Sequence, residues 1–204
     1  MDGTLVDSMG SWNDVALKYL MAHGMDESVG TLVAQTAHLT TDESAALFCE
    51  RFLSDISPQE VAASLNARME ELYRHEIREK PGVFDYLDRL KARGVNMCVA
   101  SSTSEPLIHV CLERLKLLPF FSFILSCETV GSGKSDPAVY LTAAKRLGGK
   151  PTDTAVYEDS PTALSTAKRA GFYTVAVYDE SSAEHWATLC ADAAIKDWRS
   201  ASCE

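Results

Sequence analysis

Apolar residues in the first third of the chain recur every three or four positions, which is the period of an amphipathic helix. The first such segment has this spacing at Trp12, Val15, Ala16, Tyr19 and Leu20. Residues 41–53 and 58–78 repeat the period, and neither has the alternation of a half-buried strand. The pattern therefore predicts an all-α block over residues 11–78, the helical block, with room for four helices.

Two helices of this block have recognisable starts. The tetrapeptides 41–44 (Thr-Asp-Glu-Ser) and 57–60 (Ser-Pro-Gln-Glu) each place a capping oxygen before an apolar run. The proline of the second tetrapeptide suits the first position of a helix, because its missing N–H is not needed there. The sequence therefore predicts helix starts near residues 41 and 58.

The pattern changes at residue 80, where short apolar runs begin to alternate with helical segments. The predicted strands are residues 95–100, 123–127, 154–157 and 174–178, with a last short strand and tail at 192–198. The predicted helices are residues 84–93, 105–117, 137–147 and 161–170. Strands separated by such helices form βαβ units around a parallel sheet. The expected fold class is α/β: a Rossmann-like parallel sheet core with helices on both faces and an inserted all-α domain.

Polar residues follow several of these strands directly. Right-handed crossovers place the carboxyl ends of parallel strands on one edge of the sheet, so these residues are expected to meet there. Ser101 and Ser102 combine hydroxyls with a helix N-terminus, and the turn 2–4 (Asp-Gly-Thr) offers converging N–H groups. Both arrangements suit an anion. The alternative is an N-cap of the helix 105–117, which Ser102 to Ser104 could supply.

Charged residues stand at the same edge. Lys134 lies in a glycine-rich turn, where a cation can balance the charge of a moving phosphoryl group, although most surface lysines are only solvated. Glu158 and Asp159 end a predicted buried strand, and adjacent buried carboxylates are costly unless they are paired or hold a cation. Such oxygen ligands suit Mg²⁺. The alternative is a helix N-terminus enriched in acids before Pro161.

These four groups resemble the four motifs of the haloacid dehalogenase (HAD) superfamily of phosphotransferases. The similarity is to the subgroup with a helical cap, which contains phosphoglycolate phosphatases and β-phosphoglucomutase. It implies an α/β core of residues 1–10 and 79–204 and a cap of residues 11–78. The chain is therefore expected to be a Mg²⁺-dependent phosphatase that works through an aspartyl-phosphate.

The resemblance also implies a role for each group. Asp2, as general acid and base, and Lys134 would be catalytic. The residues that would bind phosphate are Gly3, Thr4, Ser101, Ser102 and Lys134. Those that would hold Mg²⁺ are Asp2, through its backbone carbonyl, Glu158 and Asp159.

The same resemblance places the nucleophile outside the printed chain. In the family the first motif is Asp-x-Asp-Gly-Thr, preceded by a strand of about five apolar residues. Asp2 aligns with the second aspartate, so the first would lie immediately before Met1, together with its strand. A truncated gene start is the expected explanation, because loss of a central strand would remove contacts that a marginally stable fold needs.

The helical block carries the expectations about substrate. His38 and Thr41 are predicted to face the site, and Lys18 is the only lysine or arginine before Arg51. A mutase must grip a second phosphate, so a polar, nearly uncharged face favours a phosphatase acting on a sugar or small-acid monophosphate. Two alternatives remain: a β-phosphoglucomutase-like phosphotransferase, and a protein that binds phosphate or a partner without turnover.

Composition limits the partners. A formal net charge of −10 argues against a nucleic-acid surface, which needs basic residues to neutralise phosphates. The six cysteines form no CxxC pair and indicate reduced thiols. No apolar run approaches the ~20 residues of a membrane span. The expected protein is cytoplasmic, a monomer or weak dimer, with a small phosphorylated metabolite as its partner.

Overall fold

The computed structural model describes residues 1–36, 39–188 and 190–201. Within these ranges the first part of the chain forms the helices α1 (Met9–Ala22), α2 (Gly30–Gln35), α3 (Thr41–Arg51) and α4 (Pro58–His75). Their buried faces carry the apolar residues that gave the helical period, such as Val15, Leu20 and Phe48. The helical pattern predicted for this part of the chain is therefore confirmed.

Capping boxes start α3 and α4. Thr40 Oγ1 accepts the Glu43 N–H, and the Glu43 carboxylate accepts the Thr40 N–H at 2.7 Å. Ser57 and Glu60 form the same reciprocal pair at the start of α4. The predicted start at residue 41 is correct for the helix, but the capping oxygen comes from Thr40, because only that residue stands three positions before a glutamate.

The rest of the chain alternates helix and strand. The helices are α5 (Val83–Ala92), α6 (Glu105–Arg114), α7 (Cys127–Val130), α8 (Ala138–Leu147) and α9 (Pro161–Arg169). The strands are β1 (Val99–Ser101), β2 (Ile124–Ser126), β3 (Ala155–Glu158), β4 (Tyr173–Val177) and β5 (Ala193–Ile195). Every pairing between these strands is parallel. The predicted α/β class with a parallel sheet is confirmed.

The sheet, however, is divided. β1 pairs with β2, and β3, β4 and β5 form a second sheet. β1 is also shorter than the predicted strand 95–100, and Val95 is 45% exposed. A groove of about 470 Å³ is bordered by residues of both β1 and β3, with Tyr86 of α5 and Tyr140 of α8 among its lining side chains. The expected single sheet is thus replaced by two parallel sheets whose facing edges are not paired with each other.

Polar contacts fix the passage between the helical block and the α/β part. The Asp7 N–H donates to the Arg78 carbonyl, and the Lys80 N–H donates to the Leu5 carbonyl, both at 2.9 Å. The Lys80 ammonium is buried and pairs with the Asp179 carboxylate at 2.8 Å. These contacts hold the first turn of the chain, residues 2–8, at the carboxyl edge of the strands.

A side chain of α6 ties the end of α4 to the α/β part. The Arg114 guanidinium donates to the backbone carbonyls of Tyr73 and Ile77, which belong to the turn where α4 ends. These carbonyls have no partner inside their own helix. The contact therefore satisfies them and positions α4 against α6.

No helix within the described ranges has the length and apolar character that a membrane crossing requires.

Candidate active site

Asp2 accepts hydrogen bonds from three hydroxyl groups. Ser8 Oγ donates at 2.6 Å, Thr103 Oγ1 donates at 2.7 Å, and the Tyr73 hydroxyl donates to the oxygen that Ser8 contacts. Burial raises the pKa of Asp2, but the charge of the Met1 amino group and these three hydroxyls outweigh burial and lower it. These interactions favour the carboxylate form of Asp2 in the chain that begins at Met1.

The turn after Asp2 packs directly on Asp159. Gly3 has φ +66°, and a Cβ at this position would lie 2.2 Å from Asp159 Oδ2. Thr4 Oγ1 donates to Asp159 Oδ1 at 2.8 Å. Both residues were predicted to bind phosphate. The structure places their contacts on the Asp159 carboxylate, and neither residue lines the cavity described below.

Lys134 lies between the two acidic residues at the end of β3. Its ammonium is buried and forms a close ion pair with Glu158 Oε1, which also accepts the Tyr140 hydroxyl at 3.0 Å. Burial lowers the pKa of Lys134, but the charge of Glu158 and its hydrogen bond outweigh burial and raise it. Lys134 is thus a permanent cation, which corrects the alternative of a solvated surface lysine.

Neighbouring groups neutralise the negative charge of Asp159 less fully than that of Glu158. Burial and the charge of Glu158 raise the pKa of Asp159 to about 7, although Lys134 and the Thr4 hydroxyl act in the opposite direction. Two buried carboxylates share one ammonium, so the site carries more negative charge than it neutralises. A cation beside Asp159 would correct this imbalance.

The donor set fits Mg²⁺ rather than a metal held wholly by protein. Among the described residues, no group of three or more His, Cys, Asp or Glu side chains is placed to hold an ion. Mg²⁺ is usually bound through one or two carboxylates, with water and substrate oxygens completing its shell. The close approach of Gly3, which leaves no room for a side chain, keeps the Asp159 carboxylate next to the Asp2 backbone.

Ser101 is the last residue of β1 and Ser102 follows it, so both lie at the strand end where they were predicted. Ser101 is buried, and its Oγ accepts the Thr103 N–H at 3.3 Å. Ser104, rather than Ser102, is the N-cap of α6, and its side chain makes no capping hydrogen bond. The N-cap expected from residues 102–104 is therefore Ser104, whereas Ser101 and Ser102 line the cavity described below.

A cavity of about 90 Å³ brings the predicted groups together. Its α/β wall includes Asp2, Ser101, Ser102, Lys134, Glu158 and Asp159. Its opposite wall comes from the helical block and includes Thr41, which is 7% exposed. His38, the other residue predicted to face the site, lies outside the described residues.

A family model described as haloacid dehalogenase-like hydrolase matches residues 1–177 of the chain. The chain belongs to this family. The match covers the helical block, all four groups named above and the strands β1 to β4. The resemblance stated from the sequence is therefore confirmed.

Relatives of this HAD-like hydrolase include named phosphatases. The chain is 30% identical over 177 residues to phosphoglycolate phosphatase 1 of Pseudomonas aeruginosa, covering 84% of the chain and 64% of that protein. It is 27% identical over 181 residues to hexitol phosphatase A of Escherichia coli, covering 87% of the chain and 80% of that protein. The chain spans only 35% and 46% of the length of two Arabidopsis thaliana relatives.

A solved structure supports the fold of the HAD-like hydrolase. The crystal structure of CbbY from Rhodobacter sphaeroides in complex with phosphate matches with a TM-score of 0.85 and 21% identity, covering 98% of this chain and 92% of that one. At this level of identity the likeness shows the fold alone.

Some residues of the site carried no signal in the sequence. Tyr73 lies on the buried face of α4, and Trp12, whose indole N–H donates to the Tyr73 hydroxyl at 2.9 Å, lines the cavity. Their helical spacing suggested packing alone. Thr103 and Ser8 stand within two and six residues of predicted site residues, so proximity to the motifs was the signal that could have identified them.

Substitution of Gly3 by alanine in this HAD-like hydrolase should cost about 2–4 kcal/mol of stability. The positive φ is unfavourable for alanine by about 1–2 kcal/mol, and its methyl group would displace the Asp159 carboxylate. Gly10→Ala is the control, because it has open space around it in α1 and should gain up to about 1 kcal/mol. Urea unfolding in EDTA measures the stability of both variants. A midpoint of Gly3→Ala equal to that of the parent chain would contradict the role assigned to Gly3.

Proposed function

We propose that this HAD-like hydrolase is a Mg²⁺-dependent phosphatase that hydrolyses a small phosphomonoester through an aspartyl-phosphate. The supporting observation is the convergence of Asp2, Lys134 and Asp159 with the Ser101 hydroxyl on one cavity. Phosphoryl transfer uses a carboxylate that exchanges protons, a buried cation that balances charge and a carboxylate that binds a metal ion. The names of the phosphatase relatives agree with this class of reaction.

Each group has a task that its surroundings support. Lys134 and Ser101 hold the phosphate oxygens and balance their charge. Asp159, with the Asp2 carbonyl and with Glu158 nearby, would hold Mg²⁺, which would neutralise charge on the phosphoryl group. Glu158 contributes mainly by keeping Lys134 charged and in place, since its Oε1 already pairs with that ammonium. Gly3 and Thr4 orient Asp159, and Ser102 completes the phosphate side of the cavity.

Proton transfer is the task of Asp2. In a protein extended before Met1 the Met1 nitrogen is an uncharged amide, so the charge that most lowers the pKa of Asp2 is absent and Asp2 enters the reaction protonated. When a carboxylate oxygen attacks phosphorus, the bond to the ester oxygen breaks and the leaving oxygen takes this proton from Asp2. Water then attacks the acyl phosphate, Asp2 accepts the proton of that water, and phosphate leaves. Ser8, Tyr73 and Thr103 stabilise the carboxylate form that receives this proton.

The attacking carboxylate is proposed to lie immediately before Met1, as the family resemblance implies. The carboxylates that line the cavity in the described structure have other partners. Asp2 is bonded by three hydroxyls, Glu158 by Lys134 and Tyr140, and Asp159 by Thr4. The groove between β1 and β3 ends beside Met1, so a strand leading to that position would lie between the two sheets.

The wider context follows from the same proposal. The core would comprise residues 1–10 and 79–204, and the helical block, residues 11–78, would be the cap that closes over the substrate. The protein would be a cytoplasmic monomer or weak dimer, and its partner would be a small phosphorylated metabolite. The mutase alternative loses support, because Arg51, Arg68, Arg74 and Arg78 are exposed to solvent rather than lining the cavity.

Phosphate release from a panel of monophosphates tests the proposal. The printed chain is compared with one extended before Met1 by about five apolar residues and an aspartate. We expect turnover only in the extended protein and only with Mg²⁺, and none in EDTA. The matched control carries the same extension ending in asparagine, which supplies the strand but no nucleophile.

Three results would change the conclusion. Equal turnover in the aspartate and asparagine versions would place the nucleophile elsewhere. Full activity in EDTA would remove the metal. Silence in all three folded proteins, combined with tight binding of inorganic phosphate, would favour a phosphate-binding protein without turnover.

A further inference from the structure

The wall that the helical block contributes to the cavity has a distinctive composition. Its lining side chains are apolar, as in Trp12 and Phe48, or neutral and polar, as in Asn13, Thr36 and Ser44. Among the described residues of the block, none that lines the cavity is charged. The part of a substrate that lies beyond the phosphate therefore meets no ionic partner among the residues of this wall that the structure describes.

The cations of the block point away from the cavity. Lys18 pairs with Asp14, Arg68 with Glu71 and Arg74 with Glu70, all on exposed surfaces. An acidic residue of the block also lies close to the α/β part: the Glu43 carboxylate lies against Gly133, where a Cβ would be 2.9 Å from it. A second anionic group on the substrate would lose its hydration without gaining a counter-ion from the described residues of this wall.

Two of the wall hydroxyls are oriented by the backbone. Thr36 Oγ1 donates to the Val33 carbonyl at 2.7 Å, and Ser44 Oγ donates to the Thr40 carbonyl at 3.0 Å. Both side chains are buried, and a hydroxyl has a single donor proton. Their remaining capacity toward the cavity is as acceptors, which bind an alcohol O–H but not a carboxylate or phosphate oxygen.

From these observations we propose that the group esterified to the phosphate is a short, uncharged polyhydroxy alcohol. The inference rests on the proposed phosphatase function and narrows its substrate class, excluding hydroxy acids and bisphosphates. Acceptor oxygens from Thr36 and Ser44 bind its hydroxyls, and the apolar side chains cover its carbon chain. The cavity volume of about 90 Å³ suits a short chain rather than a nucleotide.

Glycerol 3-phosphate and 3-phosphoglycerate test this inference, since they differ only by CH₂OH against COO⁻ at one end. Binding of each to the 204-residue chain is measured by calorimetry with Mg²⁺, with inorganic phosphate as the reference. We expect glycerol 3-phosphate to bind at least about tenfold more tightly than 3-phosphoglycerate. Equal or reversed affinities, with inorganic phosphate still bound, would overturn the substrate class and leave the phosphatase proposal intact.

Thr41→Arg provides the complementary variant, because Thr41 lines the cavity. It should reverse the preference by giving the carboxylate a partner. Ala63→Arg adds the same charge on an exposed position of α4 and should leave the ratio of affinities unchanged. An unchanged ratio in Thr41→Arg would contradict the assignment of this wall. Failure of inorganic phosphate to bind the parent chain would overturn the phosphate site and, with it, the inference.

Discussion

Replacement of Asp159 by asparagine should abolish Mg²⁺-dependent phosphate release and at the same time stabilise the metal-free protein. The carboxylate is buried beside Glu158 and shares the single cation Lys134 with it. The amide keeps the size of the side chain and can still accept from the Thr4 hydroxyl, but it removes the uncompensated charge. The expected gain in stability in EDTA is about 2 kcal/mol near neutral pH.

The pH dependence of this gain has a defined sign. The pKa of Asp159 is raised to about 7 in the folded state, above its ordinary value near 4. A carboxyl with a raised pKa destabilises the fold increasingly as pH rises from the unfolded to the folded pKa, and the penalty is complete above that range. The advantage of Asp159→Asn should therefore be full at about pH 8 and should vanish toward about pH 4.

Urea unfolding in EDTA and calorimetric titration of Mg²⁺ measure the two halves of this prediction. Asp179→Asn is the matched control, because Asp179 is an equally buried carboxylate paired with Lys80. That variant should lose stability and keep its affinity for Mg²⁺. Undiminished Mg²⁺ affinity in Asp159→Asn would exclude Asp159 as a ligand, and a loss of stability would show that its charge is already compensated.

Replacement of Lys134 by methionine should damage both the fold and the chemistry. It leaves the Glu158 carboxylate buried with only the Tyr140 hydroxyl as partner, and breaking a buried ion pair in this way costs about 3–5 kcal/mol. It also removes the cation that we propose to face the phosphate. The expected loss in kcat is about 10²–10³-fold, the effect of deleting one group that stabilises transition-state charge.

Two further variants separate these effects. Lys80→Met breaks the other buried ion pair, which lies outside the cavity, and should destabilise the protein while phosphate affinity is kept. Adding Glu158→Gln to Lys134→Met removes the unpaired charge and should restore most of the stability but none of the turnover. The measurements are urea midpoints, the Kd of inorganic phosphate and kcat in the extended protein. Recovered turnover in the double variant would show that Lys134 acts only in the fold.

The sequence predicted the strand ends of the site well. Ser101, Glu158 and Asp159 each follow an apolar run, and parallel crossovers oblige such ends to meet on one edge. The structure places all three in one cavity with Asp2 and Lys134. The roles assigned to them from the family resemblance stay predictions, which the variants above are designed to test.

Local pattern could not reveal the partners of Asp2. Tyr73 is 71 residues away in the chain and Thr103 is 101 residues away. The sequence pattern of a buried tyrosine on an amphipathic helix is the same whether or not its hydroxyl forms a hydrogen bond. The spacing shows which face of the helix is buried but not what the hydroxyl contacts. The helix cap at Thr40 was missed by one residue, although Glu43 three positions later marks Thr40 rather than the next threonine as the start of a capping box.

The apolar pattern also could not predict that the sheet is divided into two. Apolar runs identify strands because they show which segments are buried, but they do not state which edges pair. The runs at 95–100 and 154–157 predicted members of one sheet, whereas β1 and β3 face each other across an open groove. Strand pairing depends on backbone groups from distant segments, so only the assembled fold decides it.

The sequence by itself determined the α/β class, the helical block and the acidic, basic and hydroxyl groups at the strand ends, because periodicity and strand-end position are local properties of the chain. The tertiary structure alone decided which hydroxyls hold Asp2, that Glu158 pairs with Lys134 while Asp159 is left under-compensated, and that the wall opposite is uncharged among the described residues. These features depend on distances and burial between segments far apart in sequence. The electrostatic character of the site arises at that level.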